Sequence, residues 1–355
     1  MKLKTTLLIF LSLYLLISCE KDDPEPEDRG FAKGVFISCE GGFNANNGSV
    51  SWYDTDSAVM INYLFETING RPAGDVVQSF STAGDYGVIV ANNSQKIEIV
   101  DLVTFESVHT ITGFSYPRYF AYAGNNTGYL SNGSFGGQVY KINLEQGVVT
   151  DSVEVGMGPE QMVVSGNYLY VANSGGWAYD NTVSVIDTGT GQVAETIEVG
   201  DIPVALVEDG EDKIWVLCRG RVVYNETWTE IIEETDSRLV RIDPGELKVD
   251  KQVIIGQKGD GFNPSWLSIN PQGNMLYFGE SGGLFRMGTD EDSQPAEPFI
   301  NQYFTGAAID PVSGNIFAVG LTDFSSPGLL YIYSEDQLLS SEETGIAPGS
   351  IVFTE

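Results

Sequence analysis

Histidine is almost absent from the sequence, since His109 is the only one in 355 residues. A Ser/His/Asp or Cys/His nucleophile needs a histidine base, and a His/Glu metal centre needs several histidines. His109 lies in a stretch of alternating residues that predicts an exposed strand. We therefore predict that the chain is not an enzyme and has no catalytic residues.

Basic residues are also scarce, with 18 Lys and Arg against 49 Asp and Glu and a formal net charge of −31. Such a surface repels nucleic acid, so no nucleic-acid partner is expected. It suits a salty medium, a cationic ligand or solubility, and composition does not choose among these. The acidic clusters Asp209–Asp212 and Asp290–Asp292 lack EF-hand spacing and are interpreted as solvated turns. We predict no metal ligands and no cofactor, with calcium on oxygen ligands left open.

Long apolar runs are missing except at the N-terminus, where Thr5 to Ile17 follows Lys2 and Lys4. This run is too short to span a bilayer as a mature helix, and it ends in Leu-Ile-Ser-Cys rather than an A-x-A-like site. It resembles the signal peptide of a bacterial lipoprotein, which makes Cys19 the lipidation site. We predict a signal peptide at 1–18, an acidic tether at 19–32 and a membrane contact through the lipid anchor alone.

The tether begins with Glu20-Lys21-Asp22-Asp23, which resembles the signal that sends Bacteroidota lipoproteins to the cell surface. A solvated linker is the plainer interpretation of the same residues, and the two can hold together. The predicted location is the outer membrane, lipid-anchored and exposed at the cell surface, with a periplasm-facing anchor as the alternative.

A repeat of about 42 residues organises the remainder of the chain. A strand end followed by a short turn, in most copies with proline, recurs near residues 75, 117, 159, 203, 264, 305 and 348. Five of the six intervals are 41 to 44 residues long and one is 61. The interval from 159 to 203 contains four alternating segments, which we predict as strands at 161–164, 168–172, 182–187 and 194–199. Four short strands per unit indicate the blade of a β-propeller.

Seven anchors predict an all-β, seven-bladed propeller over residues 33–355. Residues 33–74 supply three strands, predicted at 34–37, 49–53 and 60–65. The isolated strand Ile351–Phe353 would complete that blade and close the ring, leaving no open edge. Two packed β-sandwiches are the alternative architecture, but they would not produce a regular repeat.

The segments Thr182–Asp187 and Val199–Pro203 resemble the repeats of YncE-type and YVTN seven-bladed propellers. A narrower resemblance, to propeller lipoproteins of Bacteroidota that include the BtuG-type surface proteins, covers most of residues 34–270. It rests on blocks such as Gly34–Phe43, Gly158–Gln161 and Val171–Gly175. The resemblance implies capture of a corrinoid (vitamin B12) for a TonB-dependent outer-membrane transporter.

Two kinds of turn should lie on one face of the ring: those leading into each new blade and those between the second and third strands of a blade. The second kind is rich in glycine, asparagine and aromatic residues, which suits a large flat ligand with polar edges. We predict the following ligand-binding residues on this face: Phe43, Asn92, Asn93, Asn132, Phe135, Asn173, Trp177, Tyr179, Arg219, Tyr224 and Trp228.

The 61-residue interval carries its extra length in Arg219–Arg238, which we interpret as a lid or partner-docking flap, with a decorative loop as the alternative. Trp52, Trp215 and Trp266 fall in or beside strands and are predicted to pack in the core, whereas Trp177, Tyr179 and Trp228 are predicted to be exposed. Cys39 and Cys218 belong to blades across the ring from one another, so no disulfide is expected.

These expectations combine into a surface lipoprotein that captures a large polar small molecule, by preference a corrinoid, and passes it to a transporter. One alternative is a glycan- or protein-docking propeller without a small-molecule site. Another is a metal-dependent lactonase or lyase with an oxygen-ligated metal in the channel.

Overall fold

Short strands with buried faces, joined by turns bearing glycine, asparagine and aspartate, make up most of the chain. The computed structural model describes residues 30–259, 264–280 and 282–354. The predicted signal peptide, Cys19 and the tether up to residue 29 lie outside the described residues. So do residues 261–263 of the fifth anchor and Ser281 of the predicted blade 5 turn. No helix in the described part of the chain is long and apolar enough to cross a membrane.

The first half of the chain forms the N-terminal part of blade 7 and the whole of blades 1 to 3. Blade 7 begins with β1 (Gly34–Cys39), β2 (Ser49–Asp54) and β3 (Val59–Ile61), followed by helix α1 (Leu64–Asn69). Blade 1 consists of β4 (Val77–Ala83), β5 (Tyr86–Ala91), β6 (Lys96–Asp101) and β7 (Ser107–Thr112). Blade 2 consists of β8 (Pro117–Tyr122), β9 (Thr127–Asn132), β10 (Gly137–Asn143) and β11 (Val148–Val155). Blade 3 consists of β12 (Pro159–Ser165), β13 (Tyr168–Asn173), β14 (Thr182–Asp187) and β15 (Gln192–Glu198).

The second half forms blades 4 to 6 and the closing strand. Blade 4 consists of β16 (Pro203–Glu208), β17 (Ile214–Cys218), β20 (Ser237–Asp243) and β21 (Lys248–Gly256), with the hairpin β18 (Val222–Tyr224) and β19 (Ile231–Glu234) inserted. Blade 5 consists of β22 (Leu267–Ile269), β23 (Met275–Glu280) and β24 (Gly283–Gly288). Blade 6 consists of β25 (Gly306–Ile309), β26 (Ile316–Gly320), β27 (Pro327–Ser334) and β28 (Gln337–Ile346). The chain returns to blade 7 with β29 (Pro348–Thr354).

The blades are antiparallel and stand around a ring, which confirms the predicted seven-bladed propeller. The first strand of each of blades 1 to 6, and β29 in blade 7, lies innermost. These seven strands contact one another in sequence around the channel, and β29 touches both β25 and β4. The ring is thereby closed.

Closure occurs by the predicted pairing of the C-terminal strand with the N-terminal one. β29 pairs antiparallel with β1, from Gly34 opposite Thr354 to Ser38 opposite Ser350. The hydroxyls of Ser38 and Ser350 lie 2.6 Å apart, so the buried strand pair also has its side chains hydrogen-bonded. Ser38 and Ser350 are separated by 312 residues in the chain, so this one strand pair joins the two ends of the domain.

The strand predicted at 60–65 is partly wrong, because β3 ends at Ile61 and the chain turns into α1. Leu64 and Phe65 are adjacent and both buried in the core between blades 7 and 1. A strand would point them to opposite faces, whereas one helical turn can direct both inward. Gly70 ends the helix in a left-handed conformation, with φ 65°, and its N–H donates to the carbonyl of Glu66.

Blade 5 departs from the four-strand pattern within the described residues. The place of its fourth strand is taken by an irregular segment that includes Pro295 and Pro298, and it touches β24 through a single bridge between Leu284 and Ile300. Proline lacks the N–H that a regular strand pair requires, which accounts for the missing strand.

The core lies between neighbouring blades, where the predicted packing residues are found. Trp52, Trp215 and Trp266 are all buried, and the indole of Trp215 donates to Asp209 at 2.8 Å. Asp209 is therefore a buried structural acceptor, and the interpretation of its cluster as a solvated turn is wrong at this residue. Cys39 and Cys218 are buried free thiols in separate core clusters, as predicted.

Candidate functional site

The anchor prolines mark the entry of each inner strand into the channel. Pro117, Pro159, Pro203 and Pro348 are the first residues of β8, β12, β16 and β29. Backbone hydrogen bonds join these entry turns to the turns between second and third strands: the N–H of Gly133 donates to Tyr116, that of Ser174 to Gly158 and that of Arg219 to Ile202. The two kinds of turn therefore lie on one face of the ring, as predicted.

The second residue of the inner strand faces the channel in blades 1 to 3, a position that the sequence-based site prediction did not include. Gln78, Arg118 and Glu160 occupy it in blades 1, 2 and 3 and line a cavity of about 290 Å³ at the opening of the channel. We call this cavity the channel mouth. Its other lining residues include Glu40, Tyr119, Arg219, Tyr303 and Phe324. The signal was present in the sequence, because the position follows directly from the repeat that predicts the fold.

A chain of polar contacts crosses the channel mouth from blade 7 to blade 3. The amide of Gln78 donates to Glu40 at 3.4 Å and accepts from the guanidinium of Arg118. Nε and Nη2 of Arg118 both lie 2.9 Å from Oε2 of Glu160. Ser174 donates to the other oxygen of Glu160 at 3.4 Å. Charge and hydrogen bonding are thus concentrated on one side of the ring.

Burial at the channel mouth shifts several pKa values. Burial raises the pKa of the Glu40 carboxyl, with the nearby Arg118 acting in the opposite direction. Burial also raises the pKa of the Tyr119 phenol to about 12. For Arg118 burial disfavours the charge, but Glu160 and the neighbouring tyrosines more than compensate, so its pKa lies above the usual value. Burial lowers the pKa of Arg219. At neutral pH Tyr119 is therefore neutral and Arg118 charged.

A second cavity, of about 520 Å³, opens beside the channel mouth between blades 3 and 4, and we call it the aromatic cleft. Its walls are Trp177 and Tyr179 on one side and the inserted hairpin, with Tyr224 and Ile231, on the other. Arg118, Glu160, Val204 and Arg219 line both cavities, so the cleft continues into the channel mouth. Four of the predicted residues, Trp177, Tyr179, Arg219 and Tyr224, are brought together here.

The two walls of the cleft are tied to each other. The hydroxyl of Tyr179 donates to the carbonyl of Val222 at 3.4 Å, and the guanidinium of Arg221 lies 5.4 Å from the centre of the Tyr179 ring. Arg221 also pairs with Glu233 across the hairpin and lies 3.6 Å from Asp201. The insertion predicted at 219–238 therefore folds as a hairpin that leans on the neighbouring blade.

The loop carrying Trp177 is built by backbone geometry. Gly176 has φ +60°, and a Cβ there would lie 2.1 Å from the carbonyl oxygen of Ser134. The N–H of Trp177 donates to that same carbonyl at 3.0 Å. The indole remains 69% exposed, as predicted, and its ring centre lies 6.3 Å from that of Tyr116. A glycine is required here, and it places the indole over the cleft.

The tip of the hairpin holds Trp228 away from the cleft. The side chain of Asn225 accepts from the N–H of Thr229 at 2.9 Å and from the hydroxyl of Thr227 at 3.1 Å, which fixes the turn. Trp228 is 77% exposed, in agreement with the prediction, and stacks on Tyr224 at 5.6 Å. It does not line the aromatic cleft or the channel mouth.

The predicted asparagines are used to hold the loops. The amide of Asn92 donates to the carbonyl of Pro117 at 2.8 Å, and Asn132 accepts from the N–H of Tyr116 at 2.8 Å. Asn173 donates to two side-chain hydroxyls, and Asn93 donates to Asp75 and Asn44. Asn92, Asn132 and Asn173 are also buried. These three residues line neither the aromatic cleft nor the channel mouth, although Asn132 lines the separate groove at Phe135.

Two further predicted residues lie apart from the cleft. Phe135 is 68% exposed in the turn of blade 2 and lines a shallow groove of its own. Phe43 is exposed in the turn of blade 7 and lines neither the cleft nor the channel mouth. His109 lies in the outer strand β7, where its Nε2 is 3.0 Å from the carbonyl oxygen of Glu145. Within the described ranges no three His, Cys, Asp or Glu side chains are placed to hold a metal ion.

The fold and this face define a seven-bladed β-propeller with a cleft and a charged channel mouth on its loop-rich side. The chain belongs to the family described as Domain of unknown function (DUF5074), whose model matches residues 33–334. A comparison with curated protein sequences gave no significant match.

Solved structures share the fold at low sequence identity. A quinonprotein alcohol dehydrogenase-like protein from Bacteroides thetaiotaomicron is 13% identical with a TM-score of 0.67, over 92% of this chain and 79% of that one. The β-propeller domain of Cps50 (Swd1) from Myceliophteria thermophila is 11% identical with a TM-score of 0.60, over 81% and 91%. Hydrazine synthase from Kuenenia stuttgartiensis is 15% identical with a TM-score of 0.57, over 76% and 86%. These likenesses concern the propeller fold alone.

Proposed function

We propose that this propeller captures a large, flat, polar-edged small molecule in the aromatic cleft and does no chemistry on it. The observation that carries the proposal is the arrangement of Trp177 and Tyr179 opposite Tyr224, above a floor that contains Arg118 and Glu160. Aromatic walls bind the face of a planar ligand, and the charged floor binds its polar edge. A volume of about 520 Å³ lies within the range of small-molecule sites, about 300 to 1,000 Å³.

Preorganisation supports a binding role. The Trp177 loop is fixed by Gly176 and Ser134, and the hairpin is fixed by Asn225 and by its contacts with Tyr179. Side chains already held in place lose little conformational entropy on binding. A ligand can therefore enter without first ordering these two walls.

A corrinoid is our preferred ligand, because of the resemblance of blocks such as Gly158–Gln161 to BtuG-type propellers. The same resemblance and the lipobox ending at Cys19 support a lipid anchor in the outer membrane, exposure at the cell surface and delivery to a TonB-dependent transporter. Because the sequence holds a single histidine, corrinoid capture here would use ring stacking and hydrogen bonds without histidine on the cobalt.

The test is calorimetric titration of the unlipidated domain with cyanocobalamin, with haem and a ferric siderophore alongside. We expect stoichiometric binding of cyanocobalamin alone, and a loss of affinity of about fivefold or more in Trp177→Ala, since one lost stacked ring is worth on the order of 1 kcal/mol or more. Phe135→Ala is the matched control, because it removes an equally exposed ring outside the cleft.

The outcomes separate ligand from site. Failure of cyanocobalamin to bind would reject the corrinoid. Binding with equal affinity in Trp177→Ala and the parent protein would reject the aromatic cleft as the site.

Docking of a protein or glycan is a second candidate, favoured by the outer side of the hairpin. Trp228 and Ile232 are exposed there, with Glu230 and Glu233 beside them. Exposed apolar residues grouped in this way are typical of contact surfaces. This candidate predicts that Trp228→Ala abolishes binding of the partner while cleft variants leave it unchanged.

A metal-dependent lactonase or lyase would instead show activity that added metal restores and a chelator removes.

A further inference from the structure

The channel mouth has a chemical character different from that of the aromatic cleft. Carboxylate, phenol and phenyl groups meet around a cavity of about 290 Å³, near the lower limit of about 300 Å³ for small-molecule sites. The lining residues that matter here are Glu40, Tyr119, Tyr303 and Phe324. They come from blades 7, 2 and 6 and from the turn that enters blade 6, so they surround the opening.

Of Glu40 and Glu160, the two acidic residues that line this cavity, Glu40 has the weaker hydrogen-bond partner. Glu160 has two guanidinium nitrogens of Arg118 at 2.9 Å, so the charges of that pair offset each other. Glu40 has the amide of Gln78 at 3.4 Å, which is at the long end of a hydrogen bond. The nearby charge of Arg118 also acts on Glu40, but Arg118 is paired with Glu160, so a cation entering the cavity would further stabilise the Glu40 carboxylate.

The aromatic residues suit an organic cation. The faces of tyrosine and phenylalanine rings attract ammonium groups, and aromatic surroundings beside a carboxylate are a recurrent way of binding alkylated ammonium ions. Tyr303 and Phe324 are more than half exposed, so their rings are accessible from solvent at the mouth. The ring of Tyr119, whose pKa burial raises to about 12, already has the guanidinium of Arg118 5.8 Å from its centre.

The field of the whole chain acts in the same direction. A formal net charge of −31 attracts cations and repels anions, and a cavity with low-dielectric walls focuses that field. Arg219 also lines the mouth, but the charged side chain that acts on it most is Glu160, on the side of blades 3 and 4, whereas the charged neighbour of Glu40 is Arg118. The positive charges of Arg118 and Arg219 at the mouth are therefore offset mainly by Glu160.

We propose that the channel mouth binds a small organic ammonium ion, with Glu40 as the counter-charge and Tyr303 and Phe324 as the aromatic wall. This site is separate from ligand capture in the aromatic cleft and does not require it. The bound group can belong to a free alkylammonium compound or to the end of a larger molecule.

The experiment compares choline with its uncharged carbon isostere 3,3-dimethylbutan-1-ol by calorimetry on the folded domain. The two probes have nearly the same shape and differ in charge. We expect choline to bind about tenfold or more tightly than the isostere, and its affinity to fall about tenfold in Glu40→Gln, which keeps the shape of the side chain and removes its charge. Glu195→Gln, on the exposed outer strand β15, is the control for loss of one negative charge and should behave as the parent protein.

A second variant guards against misfolding of Glu40→Gln. Phe324→Ala changes an exposed ring in a surface turn and should weaken choline binding without changing thermal stability. Trp177→Ala should leave choline binding unchanged, so failure of this proposal is distinguishable from failure of the cleft.

Equal affinities for choline and the isostere would overturn the proposal. Absence of choline binding, or unchanged binding in Glu40→Gln, would do so as well.

Discussion

Replacing Arg118 by methionine tests whether Arg118 and Glu160 stabilise the fold as an ion pair at the channel mouth. The side chains of Arg118 and Glu160 are 18% and 12% exposed, and the two nitrogens of Arg118 nearest to Glu160 lie 2.9 Å from one oxygen. Arg118→Met removes these contacts and leaves Glu160 with the hydroxyl of Ser174, at 3.4 Å, and the charge of Arg219. Breaking a buried pair in this way costs about 3 to 5 kcal/mol. We expect the free energy of unfolding to fall by about 3 kcal/mol, at the lower end because neither side chain is completely buried.

Arg118→Met is one variant of a double-mutant cycle, and the other two variants should lose different amounts of unfolding free energy. Glu160→Met leaves Arg118 near Glu40, whose carboxylate can take part of the charge, so we expect a smaller loss than for Arg118→Met. The double variant removes both charges together, which is often close to neutral when apolar residues of similar volume replace a pair. The coupling energy from the cycle should be at least about 1.5 kcal/mol.

Urea unfolding of the four proteins, followed by tryptophan fluorescence with the slope checked for each, is the assay. Lys248 and Glu246 form a control pair, since both side chains are more than half exposed and such pairs contribute about 0 to 1 kcal/mol. If the losses in the two single variants simply add in the double variant, the two side chains do not act as a pair and the reasoning fails.

Two further predictions concern burial elsewhere in the ring. Burial opposes ionisation of Glu98, but hydrogen bonds from Arg71, Lys96 and Thr110 hold its pKa below the usual range. The contribution of ionised Glu98 to stability is therefore complete above about pH 4.5 and is lost as pH falls through the lower pKa of the folded state. Glu98→Gln should be less stable at neutral pH, and its melting temperature should fall less on acidification than that of the parent protein. Equal pH profiles of the two melting temperatures would contradict this. Burial raises the pKa of Cys39 to about 11 and raises that of Cys218 as well. Neither thiol should react with a disulfide reagent at about pH 8 until the domain is unfolded, and rapid reaction of the native protein would refute the core placement.

Most of the fold follows from the sequence because the anchors recur at a nearly constant spacing. Each anchor both begins an inner strand and sets the length of a blade, so the number of blades and the closing role of Ile351–Phe353 could be predicted together. α1 was missed because Leu64 and Phe65 continue an apolar pattern that fits a strand as well as a helix. Only the core between blades 7 and 1, which receives both side chains, decides between the two.

The site could be predicted less well, for two physical reasons. Asparagine in a turn can bind a ligand or satisfy the backbone of the turn itself, and Asn92 and Asn132 do the latter. The contact between Tyr179 and Val222 depends on how far the inserted hairpin leans toward blade 3, which no local pattern records. Exposure of Trp177 and Trp228 was predictable, since each stands in a polar or glycine-rich turn with no periodic apolar partner in the sequence.

The uneven distribution of residues around the channel is the feature that connects fold and function. A ring of similar blades would by itself give seven similar positions at the channel mouth, but Gln78, Arg118 and Glu160 occur in three consecutive blades, whereas blade 4 places Val204 there. The only inserted hairpin among the described residues rises from that same blade 4, so the aromatic cleft forms where the charged positions end. The proposed ligand at this boundary would meet apolar walls on one side and charge on the other. Because the blades share one backbone plan, we expect selection of that ligand to depend on the second residues of the inner strands and on the insertion, and variants at these positions should change binding without changing the fold.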